Sequence, residues 1–192
     1  MTRTLVIMLK VPEAGRVKTR LGRDIGMVSA VWWFRHQTRR LLRRLRDPRW
    51  QIILAVAPDT KGLQTRQYPA HFRRVAQGRG DLGDRMARVF NSAAGGPVCI
   101  IGGDVPGITP AHIQTAFRAL GRHDAVFGPA CDGGFWLVGL KRTSGVPSSL
   151  FQNVRWSTEF ALSDSIASVP DLRVALIDKL RDIDTVKDLR SL

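Results

Sequence analysis

Apolar residues gather along this chain in short unbroken runs separated by longer amphipathic stretches. Residues 4–9 (TLVIML), 51–56 (QIILAV) and 97–101 (PVCII) are, apart from Thr4 and Gln51, apolar at consecutive positions, the pattern of strands buried on both faces. Residues 72–76 form a weaker strand candidate. Segments 125–127 and 135–140 flank a turn at Asp132-Gly133-Gly134, and 174–180 completes the series. The longest helical pattern spans 26–46, where Met27, Val31, Phe34, Leu41, Leu42 and Leu45 make one stripe at helical spacing. Asp47-Pro48 ends it. Further helices are predicted from 82 to about 93, from Pro110 to about Leu120 behind a Thr109 N-cap, after Ser157 or Thr158, and over 185–192. Residues 10–23 read as a polar loop and Pro58-Asp59 as a turn.

Strands alternating with helices predict an α/β fold, a Rossmann-like three-layer sandwich with a mostly parallel mixed sheet. No repeat, low-complexity tract or linker divides residues 1–192, so one domain is expected. Ligands of such sheets bind beyond the carboxyl ends of the strands. The polar and glycine-rich segments at 10–23, 102–107 and 181–185 each follow a predicted strand.

Composition narrows the class without choosing the ligand. Apolar residues make up 44% of the 192 and charged residues 24%, ordinary for a globular protein. The opening apolar run stops at Lys10, too short for a signal-peptide core, and no stretch approaches the roughly 20 apolar residues of a membrane span. Cys99 and Cys131 offer neither a disulfide framework nor metal-ligand spacing, so a cytoplasmic setting is expected. The net charge of +14 is lopsided: residues 1–90 hold 20 Lys and Arg against 6 Asp and Glu, whereas 91–192 hold 10 of each. A field of that sign attracts phosphates of nucleotides, nucleic acids or lipids.

Three loops carry candidate chemistry. Lys10, Gly15, Lys18 and Arg20 stand in one strand-to-helix connection, where backbone N–H groups and cations can meet phosphate oxygens. The pattern is not a Walker P-loop. At Gly102-Gly103-Asp104 two glycines permit close ligand approach, Gly103 in particular, while Asp104 offers oxygen to a hard cation such as Mg²⁺ or Mn²⁺. At Asp132-Gly133-Gly134, Gly133 gives an acceptor room and Asp132 is placed to accept from a hydroxyl; a plain turn is the alternative. Asp182 and Asp184 end the last predicted strand, where one of them is a candidate second metal ligand and Asp184 alternatively a helix cap. None of His36, His71, His112 and His123 sits in a nucleophile–base setting.

Taken in order, KxPxxGxVKTRL (10–21), QGxGDLGxRM (77–86), GxDxPG (102–107), GPxxDGGFWLxGL (128–140), WST (156–158) and DIDTxxDL (182–189) resemble a family of bacterial glycosyltransferase-A-like proteins. That family has the nucleotide-diphospho-sugar transferase fold and is distantly similar to molybdenum-cofactor and phospholactate guanylyltransferases. The resemblance implies a nucleotide pocket at the carboxyl edge of the sheet. It makes Asp104 the metal-binding acid, with Asp184 or Asp182 as second ligand. It also adds Gln77, Gly80 and Asp81 to the nucleotide-binding candidates. Gly103, Val105, Cys131 and Phe135 depart from the family pattern, in which threonine, cysteine, an acid and tyrosine are common.

The implied activity is metal-dependent transfer from a nucleotide-activated substrate, foremost glycosyl transfer from a nucleotide sugar, with Asp104 and Asp132 as catalytic residues. The alternative is nucleotidyl transfer, joining an NTP to a small phosphorylated molecule with release of pyrophosphate. A nucleic-acid or anionic-surface binding module is a third reading, resting on Arg35, Arg39, Arg40, Arg43, Arg44, Arg46 and Arg49. Trp32 and Trp33 fall outside the apolar stripe and are expected to be exposed, suggesting a homodimer contact.

Overall fold

The computed structural model describes residues 2–143 and 145–181. The chain runs β1 (Thr4–Lys10), α1 (Thr19–Ile25), α2 (Met27–Arg44), β2 (Gln51–Ala57), α3 (Asp59–Gln64), β3 (Arg73–Ala76), α4 (Leu82–Ser92), β4 (Val98–Gly102), α5 (Pro110–Ala119), β5 (Ala125–Pro129), β6 (Phe135–Leu140), α6 (Ala161–Ala167) and β7 (Val174–Leu176). The strands form one sheet ordered β3-β2-β1-β4-β6-β5-β7. Strand β6 pairs antiparallel with both β4 and β5, and the remaining pairs are parallel. This is the mixed, mostly parallel sheet expected.

The unbroken apolar runs follow from helices covering both faces. Side chains alternate along a strand, so Leu5, Ile7 and Leu9 of β1 pack with Leu41 and Leu42 of α2 and with Ile113 and Phe117 of α5. Val6 of the same strand joins Ile53, Ile100 and Phe90 of α4 on the other face. Truncating a fully buried aromatic such as Phe90 to alanine would cost about 3–5 kcal/mol.

Local chemistry sets the helix starts. Thr109 caps α5 by accepting from the His112 N–H, while His112 Nδ1 accepts in return from the Thr109 N–H at 3.1 Å. Proline occupies the first turn, as expected. Asp81 and Asp84 make the same reciprocal box at α4. Several expectations fail. The 10–23 loop gives way at Thr19 to α1, and Pro58-Asp59 opens α3 rather than a mere turn. Both helices are too short to show periodicity. Ser157 and Thr158 cap no helix: α6 begins at Ala161 behind Phe160, without a side-chain cap, and Thr158 instead accepts from the Phe160 N–H at 3.2 Å. The last strand ends at Leu176, with one further bridge between Ala130 and Leu180. Trp32 is 64% exposed beneath the Arg35 guanidinium, but Trp33 is half-buried, so the two do not form one exposed patch. The predicted 185–192 helix lies outside the described residues. Among the described residues no helix is long and apolar enough to cross a membrane.

Strand order positions the site. Successive β1, β2 and β3 build outward one way, and β4 is then laid on the opposite side of β1. The loops leaving β1 and β4 therefore diverge around a crevice at the point of reversal.

Candidate active site

The β1 loop reaches that crevice through a left-handed turn. Lys18, with φ 48° and ψ 46°, precedes α1, and its carbonyl accepts from the Gly22 N–H at 2.8 Å. This backbone turn carries the Lys18 side chain back beneath the β4 loop. Its ammonium Nζ lies 2.9 Å from Asp104 Oδ2; the lysine side chain is 5% exposed and the aspartate 39%. The lysine is thus nearly enclosed while the carboxylate still faces the cleft.

Both glycines before Asp104 stand in close approach to side chains. A Cβ on Gly103 would stand 2.2 Å from Leu9 Cδ2, so the β4 loop lies directly on the end of β1. A Cβ on Gly102 would meet Asp104 Oδ1 at 2.9 Å.

A cleft of about 630 Å³ opens over these groups. Its lining includes five cations, Lys10, Arg16, Lys18, Arg20 and Arg85, against two carboxylates, Asp81 and Asp104. A smaller cavity of about 230 Å³ adjoins it, sharing Leu82, Gly102, Asp104, Phe135 and Trp136 and adding Asp132, Trp156, Ser157 and Thr158. Asp104 stands where the two meet. Asp132 Oδ1 accepts from the Gly134 N–H at 2.9 Å. That bond orients the carboxylate at the cavity wall.

The segment that brings Trp156, Ser157 and Thr158 to this cavity is pinned from outside. Arg155 binds Asp164 through Nε at 2.8 Å and Nη2 at 2.9 Å. These side-chain bonds, with a further one from the Arg155 N–H, hold the Asp164 carboxyl down at about 2. The Arg155 guanidinium also lies 4.0 Å from the Phe160 ring centroid. Phe135, Phe151 and Trp156 form an aromatic cluster, of which Phe135 and Trp156 line the cavity.

The remaining candidates divide between cleft and framework. Lys10, Lys18, Arg20, Gln77, Asp81, Gly103 and Asp104 line the larger cleft, and Asp132 lines the smaller cavity. Gln77 is buried, and its Nε2 donates to Leu9 O at 3.2 Å and Ala55 O at 2.8 Å, tying β1 to β2. Asp81 is committed through one oxygen to its helix cap. Gly80, with φ +98°, packs on Asp84 and faces a neighbouring hollow. Gly133, with φ +87°, would drive a Cβ into the Glu159 backbone. Gly15 supplies a positive-φ turn outside the cleft lining. Asp182 and Asp184 lie outside the described residues. Arg85 and Trp156 were missed as site residues, although both stand inside motifs read from the sequence.

Among the described residues no three His, Cys, Asp or Glu side chains converge as a ready metal cage. A hard divalent cation bound with phosphate needs fewer: one or two carboxylates, the remaining positions going to water and phosphate oxygens. Asp104, partly exposed beside glycines, fits that requirement.

A mostly parallel sheet with its cleft at the β1/β4 reversal defines the nucleotide-diphospho-sugar transferase fold. The crystal structure of a protein from Desulfovibrio desulfuricans G20, provisionally named a nucleotide-diphospho-sugar transferase, matches with a TM-score of 0.83 at 28% identity, covering 98% of this chain and 85% of that one. Residues 41–158 match the family described as "Uncharacterized protein conserved in bacteria (DUF2064)", and the chain belongs to it. CMP:2-keto-3-deoxy-manno-octonic acid synthetase complexed with CTP matches with a TM-score of 0.62 at 11% identity over 100% of this chain and 96% of that one. Rv0371c from Mycobacterium tuberculosis H37Rv, in complex with manganese, matches with a TM-score of 0.57 at 18% identity over 100% and 97%. These two likenesses concern the fold alone. No curated protein matches the chain.

Proposed function

We propose that this protein is a nucleotide-utilising transferase that moves a glycosyl group from a nucleotide sugar to a hydroxyl acceptor. The observation that carries the reading is the Lys18–Asp104 pair at the junction of a basic cleft and a smaller cavity walled by Asp132. The cleft suits a diphosphate: Lys18, Arg20 and Lys10 offer charge-assisted bonds to its oxygens. The smaller cavity suits the acceptor, bounded by aromatic rings and by one carboxylate.

Asp104, joined by Asp184 or Asp182, would hold Mg²⁺ or Mn²⁺, which when bound neutralises charge on the diphosphate. Likeness to a manganese-bound neighbour of the same fold supports that expectation. In the transfer, the bond between the anomeric carbon and the phosphate oxygen breaks, its electron pair leaving with the nucleoside diphosphate. The acceptor oxygen forms the new bond, and Asp132 takes the acceptor proton. Lys18 and Arg20 stay with the departing diphosphate. Isothermal titration with UDP- and GDP-sugars in the presence of Mn²⁺ tests this, and absence of metal-dependent binding to every one of them would sink it.

Nucleotidyl transfer is the second reading, favoured by the five cations against two acids in the cleft, an excess that suits a triphosphate. Two neighbours named as a CTP-bound synthetase and a diphosphocytidyl-methylerythritol synthase share the fold. Pyrophosphate release from a panel of NTPs with small phosphorylated acceptors would replace the first reading with this one.

A further inference from the structure

The seven arginines of the α2 region do not act as one charged track. Arg44 donates to Pro106 O at 2.5 Å, Arg49 pairs with Asp47, and Arg35 covers Trp32. Arg39 and Arg43, one turn apart near the end of α2, are instead exposed, and exposed Arg46 follows just beyond the helix. They converge on a groove of about 620 Å³, together with Arg66 from the facing segment. No Asp or Glu lines this groove, and it shares no residue with the cleft over Asp104. Among the described residues none of these four guanidiniums makes a hydrogen bond or ion pair. Like charges one helical turn apart destabilise a helix, so the Arg39–Arg43 spacing costs α2 stability, and among the described residues no hydrogen bond or ion pair of theirs offsets it.

The groove has a shaped floor. Tyr68 and Phe72 are buried beneath it, and the Tyr68 hydroxyl donates to Lys10 O at 2.5 Å. Arg74 fixes the far wall, donating to the carbonyls of Leu63, Thr65 and Tyr68 at 2.9, 2.7 and 2.8 Å. The result is an apolar base with a rim of planar cationic forks. Its volume lies within the roughly 300–1,000 Å³ of small-molecule sites, and guanidinium forks match phosphate oxygens two at a time.

We infer that this groove is a second binding site, separate from the transferase cleft, for a small phosphorylated molecule with an apolar or aromatic body. Phosphate would sit among Arg39, Arg43 and Arg66, and the body would lie on Tyr68 and Phe72. A continuous polyanion is the poorer fit, because Arg44 and Arg49 are turned to internal partners and interrupt the track.

Isothermal titration of the intact chain with phenyl phosphate and with inorganic phosphate at physiological salt tests the site. Phenyl phosphate should bind one site more tightly than inorganic phosphate. Arg43→Gln with Arg66→Gln should weaken it tenfold or more without lowering the melting temperature, whereas Lys18→Met should leave it unchanged. Equal binding of both probes, indifference to the double substitution, or loss on Lys18→Met would overturn the inference. If the double substitution abolishes binding to phosphatidylglycerol vesicles or to DNA while phenyl phosphate never binds, the surface belongs to that polyanion instead.

Discussion

The cleft over Asp104 and the α2 groove are basic surfaces of similar volume, and they differ in how their charge is held. In the cleft, Lys18 is buried against Asp104, and the cations are mixed with carboxylates. In the α2 groove, arginines face one another across solvent with no acid between them. Charge that is paired and enclosed is fixed in direction, which is what chemistry on a diphosphate needs. Charge that is unpaired and exposed attracts an anion without dictating a reaction. A net charge of +14 cannot distinguish these cases.

The largest expected effect separates binding from chemistry inside the cleft. Asp132→Asn should lower kcat by about 10²–10⁴ if it removes the base, with nucleotide-sugar affinity little changed in titration. Parallel loss of affinity would place Asp132 on the nucleotide instead. Next, Lys18→Met breaks the enclosed pair. Asp104 is 39% exposed, so the cost should fall between surface and buried cases, about 1–3 kcal/mol in denaturant melts, accompanied by weaker nucleotide binding. A smaller effect concerns the wall of the smaller cavity. With its carboxyl held at about 2 by Arg155, below the usual ~3.9, Asp164 contributes stability above pH 4 that is lost as the pH falls towards 2. Melting curves of wild type and Asp164→Asn should differ at pH 5 and converge near pH 2. The smallest effect has the opposite sign to Lys18→Met. Arg43→Gln relieves like-charge contacts with Arg39 and Arg46 and should stabilise the chain by roughly 0.2–0.5 kcal/mol at low salt. A destabilisation there would mean that Arg43 has an internal partner, and the contrast between the two surfaces would fail.

Much of the framework was legible because burial on both faces leaves a direct mark. The runs at 4–9, 51–56 and 97–101 became β1, β2 and β4, the consecutive central portion of the sheet apart from β6. Thr109-Pro110 likewise set the start of α5 through its own side-chain chemistry. Short α1 and α3 were not legible, since seven and six residues give too few turns to show a stripe. The site was readable as loops and only partly as roles. Gln77 resembled a ligand residue, yet its amide donors are spent on strand carbonyls, a fact of packing that no local pattern records. Trp33 misled for a similar reason: a helical wheel gives direction but not what lies in that direction.

Read along the chain alone, Asp104 follows a buried strand, a basic loop follows another, and the arginine excess lies in the first half. These are properties of neighbouring residues, written in spacing and hydropathy. Packing of the sheet and helices brought Lys18 to 2.9 Å from Asp104, put Asp132 in a cavity shared with it, and aimed Arg39 and Arg43 of α2, with Arg46 just beyond its end, at a separate groove. Those juxtapositions depend on strand order, on one left-handed turn and on helix rotation. Each is fixed by the packing of the whole sheet rather than by any segment of the chain.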